Sequence, residues 1–175
     1  MRIIWFALLA ACFLYVVIAY VFLKTPPALQ PNPMMPPVFG FVSLTIAVTS
    51  FLLPRWLYQQ AARAADVKTE EEAAPSAFPG RYRDAMPKRV VFSDPKAAMG
   101  KAFACFMTPL ILSLALSEAV ALFGFVLAQL GNPRPFTAPF FLAGAILIAI
   151  RFPTQSTVLG MFERARGASF PSQQS

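Results

Sequence analysis

Four long apolar runs, separated by short polar or proline-rich stretches, set the pattern of this chain. The first extends from Ile3 to Leu23 without a charge, and the second from Val38 to Leu57, ending in Pro54-Arg55-Trp56. The third covers Ala102 to Leu130 and holds one charge, Glu118; the fourth covers Phe136 to Phe152. A bilayer core about 30 Å thick is crossed by roughly 20 helical residues, so each run is long enough, the fourth only just. An aromatic beside a cation, as at Arg55-Trp56, marks a membrane interface. The pattern predicts an all-α, polytopic membrane protein with four transmembrane helices paired as two αα-hairpins. Residues 1–57 form the first hairpin and 102–153 the second; residues 58–101 join them, and 154–175 follow as a tail.

The connections sharpen this outline. Thr25-Pro26-Pro27 through Pro36-Pro37, and Gly131-Asn132-Pro133-Arg134-Pro135, are proline-rich and read as the bends of the two hairpins. Similar residues enter and leave the second and fourth runs: Pro37-Val38-Phe39 with Pro139-Phe140-Phe141, and Leu53-Pro54-Arg55 with Ile150-Arg151-Phe152-Pro153. Two readings fit, a duplicated hairpin or edges that membrane hairpins share in general. Tyr58 to Ala74 is rich in Ala and Glu and lacks Pro and Gly, which predicts a continuation of the second helix. Pro75 to Arg89 has no periodicity and reads as a basic, flexible strap. Arg81, Arg83, Lys88 and Arg89 either hold it to anionic headgroups or simply retain it in the cytoplasm. At Ser93-Asp94-Pro95 order returns, with Asp94 as the N-cap of a helix running on into the membrane.

Composition agrees with the pattern. The 175 residues are 57% hydrophobic and 13% charged, with a mean hydropathy of +0.59. Soluble domains average about 45–50% apolar and about 25% charged. Charge then assigns direction. Nine Lys/Arg lie between Arg55 and Lys101, Arg2 lies at the start, and Arg151, Arg164 and Arg166 lie at the end; the other two connections carry Lys24 and Arg134. The positive-inside rule therefore places both termini and the central loop in the cytoplasm. No transit-type leader precedes the first run, which points to a bacterial inner membrane. Leu9-Ala10-Ala11-Cys12 is the kind of sequence that precedes a lipid-modified cysteine, yet the apolar run continues past it. An uncleaved anchor with an unmodified Cys12 is expected.

The chemistry is sparse. There is no His, and the two cysteines, Cys12 and Cys105, lie in separate apolar runs. No phosphate-cradling glycine loop, HExxH or GxSxG occurs. No catalytic residue, metal site or cofactor is expected, and the chain does not read as an enzyme. Its expected partners are membrane lipids and either further copies of itself or other members of a membrane complex, not nucleic acid.

Glu118 is the exception, the one acid in any apolar run. An ionised carboxylate at that depth costs several kcal/mol, so Glu118 is expected to face protein or water, in the neutral form that can take up and release a proton. Ser117, Ala121, Gly124 and Ala128 recur beside it at spacings of four, three and four, a small-residue stripe suited to close helix packing. Ser113 and Ser117 can bond the carboxyl or the carbonyls freed by Pro109, and Tyr15, Thr45 and Thr49 are possible partners at similar depth. Arg151 reads as too shallow to meet it.

The run Glu118-Ala119-Val120-Ala121-Leu122-Phe123-Gly124-Phe125-Val126-Leu127 resembles the carboxylate-bearing second helix of subunit c, the rotor proteolipid of rotary ATP synthases. The likeness covers roughly twenty residues; the helix before the loop has Gly40 in place of that family's glycine repeat. The resemblance implies that Glu118 binds a proton or a sodium ion. Two functions follow as expectations: ion or proton handling through Glu118, alone or within a complex, or a structural subunit in which Glu118 docks helices.

Overall fold

The structure, a computed structural model, describes residues 2–22, 32–73 and 88–170. It is mostly helical. Helix α1 (Arg2–Val17) passes into a π-helical turn (Ile18–Phe22); α2 is Met35–Ala64, α3 Pro95–Gln129, α4 Arg134–Ala149 and α5 Gln155–Arg166. Three segments are long and apolar enough to cross a membrane: Arg2–Phe22, Met35–Ala64 and Pro95–Gln129. At 16 residues, α4 is a shorter apolar helix. Of the expected bend at 25–37, residues 25–31 lie outside the described residues, as does most of the strap, 75–87, whereas Pro36 and Pro37 fall in the first turn of α2, where proline is tolerated.

Contacts divide the chain into two compact units, residues 1–56 with 107–153 and residues 57–106 with 154–175. In the first unit α3 is the central helix. Of its most apolar stretch 44% is buried, against 17% for Arg2–Phe22 and 11% for α2. The close approach of α3 and α4 depends on two glycines. A Cβ on Gly144 would lie 2.7 Å from Ala121 Cβ and 2.9 Å from Ala121 N; one on Gly124 would lie 2.9 Å from Phe140 Cβ. Helix α1 is fastened to α4 at both ends. Trp5 Nε1 donates to the Ile148 carbonyl at 2.8 Å, and the Tyr20 and Thr137 hydroxyls share a 2.9 Å hydrogen bond. Phe39 of α2 packs on Phe123 of α3 with ring centroids 5.1 Å apart.

The second unit departs from the all-helical expectation. Beyond Ala64 the chain does not continue as helix but forms strand β1 (Thr69–Ala73), antiparallel to β2 (Lys88–Phe92), with Thr69 opposite Phe92 and Glu71 opposite Val90. Lys88 and Arg89, assigned to the strap, open β2. The physical reason is tertiary: Val91 and Phe92 are buried, so pairing with β2 outweighs the modest helix preference of Thr-Glu-Glu-Glu-Ala. The end of α2 is also capped from outside. Arg166 donates to the carbonyls of Arg63 and Val67, both at 3.1 Å, and Lys101 Nζ donates to that of Asp66.

The tail is equally structured. Thr154 caps α5 by accepting from Thr157 N, and Gly167 ends it with φ +65°. The chain after it pairs alongside β2, where Ser169 N donates to Val90 O at 3.0 Å. Tyr58, Ala62, Phe92, Ala98, Ala102, Val158, Phe162 and Ala168 make one core. The Asp94 cap forms as the sequence indicates, Oδ1 accepting from Lys96 N and Ala97 N at 3.1 and 3.0 Å.

Candidate functional site

Two consecutive residues of α3, Ser117 and Glu118, each anchor a polar cluster inside the first unit. Successive side chains on an α-helix diverge by about 100°, so Ser117 and Glu118 meet different neighbours. Glu118 is half-buried and turns to α1, where Tyr15 Oη donates to Oε1 at 2.7 Å. The Tyr15 ring packs against Phe125, centroids 5.7 Å apart, which fixes the hydroxyl over the carboxyl. Oε2 takes no partner among the described residues.

Ser117, fully buried, turns to the end of α4 and Arg151. Arg151 Nη1 donates to Ser113 O at 2.7 Å and to Ser117 Oγ; Nη2 donates to Ser50 O at 3.1 Å and Ser50 Oγ at 2.7 Å. The guanidinium lies over the Phe51 ring, 4.4 Å from its centroid. Four neutral acceptors therefore hold this cation, and among the described residues it has no ion pair.

Several sequence expectations are corrected here. Ser113 and Ser117 do not bond the carboxyl: their hydroxyls donate to Leu110 O at 2.8 Å and Ser113 O at 2.7 Å. A serine in a helix readily returns its proton to a carbonyl three or four residues back. Thr45 and Thr49 do the same, donating to Phe41 O and Thr45 O, and are not partners of Glu118. Of the proposed partners, Tyr15 alone reaches it. Arg151 makes no ion pair with Glu118 among the described residues; its long side chain reaches Ser113 and Ser117 of α3 instead. Within the small-residue stripe, Ser117, Ala121 and Gly124 face α4, and Ala128 is half-buried.

Sequence reasoning missed Ser50, Gly144 and the Tyr20–Thr137 bond. Gly144 lies amid Ala143 and Ala145, a small-residue signal that was available; Ser50 carried none. Chemically, the site offers one acid with a hydroxyl donor on one oxygen and, bound to serines, a cation that does not pair with it. Comparison of the chain with known protein families, curated proteins and solved structures gives no match.

Proposed function

We propose that this chain is a multi-pass inner-membrane protein in which Glu118 binds and releases a proton or small cation, alone or as a small subunit of a larger complex. In this reading α1 to α4 are four spans in two hairpins, and both termini and residues 57–106 lie in the cytoplasm. The charge distribution supports that direction. The observation that carries the function is the state of Glu118: Tyr15 occupies Oε1, Oε2 is unspent among the described residues, and Arg151 is satisfied by serines rather than by this carboxyl. With Tyr15 donating to Oε1, a proton taken up by Glu118 resides on Oε2. The likeness to the subunit c helix supports the same chemistry, and no catalytic role is assigned.

The Tyr15–Glu118 bond also favours a second reading, since a hydrogen bond from α1 to α3 docks helices without any transport. Proton flux separates the two. The full chain in liposomes with an entrapped pH-sensitive dye is expected to collapse an imposed proton gradient, and Glu118→Gln to abolish that flux while folding is retained. Glu118→Gln conducting like wild type, or wild type no different from empty liposomes, would leave helix docking as the role. Direction is tested by labelling from outside intact cells, in chains whose native cysteines are replaced. Asn32→Cys is expected to react and Glu70→Cys to be protected; the reverse overturns the orientation.

A further inference from the structure

Between α1 and α4 lies an apolar groove of about 260 Å³, walled by Cys12, Val16 and Tyr20 on one side and Ala138, Phe141 and Ala145 on the other. The two helices run antiparallel, so Cys12 and Ala145 mark one end and Tyr20 and Ala138 the other. Eight residues of helix separate Cys12 from Tyr20, which makes the groove about 12 Å long. One leaflet of a hydrocarbon core is about 15 Å deep, so this is the length an acyl chain travels from headgroup level toward the bilayer midplane.

The Tyr20 end carries a charge of the matching sign. Arg134 stacks on the Tyr20 ring, 5.2 Å from its centroid, and is exposed. Its guanidinium makes no hydrogen bond or ion pair among the described residues, which leaves its donors free. Arg134 also begins α4, whose N-terminus has no side-chain cap and has Pro in its first turn. The partial positive charge of a helix N-terminus adds to that of the guanidinium. The Tyr20–Thr137 hydrogen bond and the edge-on packing of Tyr20 on Phe141 hold the platform in place.

From this juxtaposition we infer that the α1–α4 groove is a phospholipid site, with one acyl chain between the helices and the phosphate on Arg134. The site is independent of Glu118 chemistry. It places a lipid as a wedge where α1 and α4 leave a gap, between the Trp5–Ile148 and Tyr20–Thr137 fastenings.

Native mass spectrometry of the full chain in mild detergent tests it, with phosphatidylglycerol and dioleoylglycerol as probes. Wild type is expected to keep one phosphatidylglycerol per chain under conditions that strip dioleoylglycerol, which has the chains but no phosphate. Arg134→Gln is expected to lower phosphatidylglycerol retention about fivefold, and Arg134→Lys to preserve most of it. Ala145→Phe, which fills the inner end of the groove, is expected to reduce retention of phosphatidylglycerol as well. Because Arg134 is exposed and its guanidinium has no hydrogen bond among the described residues, its variants are expected to keep wild-type helix content and unfolding temperature, so a loss of lipid reports the site rather than the fold. Equal retention by wild type and Arg134→Gln, or equal retention of the two probes, overturns the assignment. So does a lipid-free dimer dispersed by Ala145→Phe, which would make a second copy the occupant.

Discussion

The two units bury opposite kinds of side chain. In residues 1–56 and 107–153, large apolar groups face outward: Ile3, Phe41, Leu44, Val48, Leu52, Leu142 and Ile146 are each at least half exposed, whereas Ser43, Ser50, Ser113, Ser117, Asn132 and Thr137 are buried. In residues 57–106 and 154–170 the order is the usual one. Phe92, Val158 and Phe162 are inside, while Arg63, Asp66, Lys68, Glu70, Lys96 and Arg164 are outside. An apolar exterior that would aggregate in water is what hydrocarbon requires, and polar groups then gather inside, where all of those named except the Ser43 hydroxyl find hydrogen-bond partners among the described residues. One chain thus contains a unit suited to lipid and a unit suited to water. Glu118, the one carboxylate of the first unit, lies inside the part that is least able to hydrate it.

Substitutions sharpen this contrast, beginning with the largest effect. Phe162→Ala removes a fully buried ring from the second unit and is expected to cost about 3–5 kcal/mol in unfolding measurements. The same change at Phe41, 73% exposed on α2, is expected to stay within about 0.5 kcal/mol in detergent. Leu44→Arg introduces a charge on the outer face of α2 and is expected to impede membrane insertion by about 3 kcal/mol, read by the fraction of chain integrated. Gln59→Arg, beyond the apolar run on an exposed position, is expected to insert normally.

Gly144→Ala presses a methyl group onto the backbone of α3 and is expected to cost about 1–3 kcal/mol in the stability of the first unit. Gly40→Ala, with nothing within 4 Å of the new Cβ, is expected to be neutral or slightly stabilising. A smaller cost than at Gly144 is expected for Tyr15→Phe, which deletes one hydrogen bond between α1 and α3, worth about 0.6 kcal/mol for a typical intramembrane pair. A loss of several kcal/mol at Tyr15 would show that the pair is structural above all.

The first unit was the more legible of the two in sequence, for a physical reason. A long apolar run in a bilayer has essentially one backbone solution, so α1, α2 and α3 could be read from composition and length. In water the alternatives are closer in energy. Thr69–Ala73 is strand because Val90 to Phe92 provide a partner and a core, neither of which is visible in the Glu-rich segment itself. Helix α5 did leave local marks, Thr154 before it and Gly167 after it, with Val158 and Phe162 one turn apart, and these can be recognised without a structure. For the site, Glu118 stood out because an acid in an apolar run is costly. Its partner was one of several hydroxyls, and choosing Tyr15 over Thr45 or Ser113 required knowing which helix faces which. What the position of Arg151 did not reveal was its set of serine acceptors on α2 and α3, because the length of its side chain decides where its charge goes.

The contrast between the units is measured most directly by spin labels placed one at a time on the full chain in lipid bilayers. Collision with oxygen, which partitions into hydrocarbon, is compared with collision with a water-soluble nickel chelate. The account predicts that labels at Phe41, Leu44, Val48 and Leu52 collide with oxygen and are shielded from nickel, while labels at Glu70, Lys96 and Arg164 show the reverse. Equal access of nickel to both sets would contradict it, because the apolar exterior of the first unit would then face water.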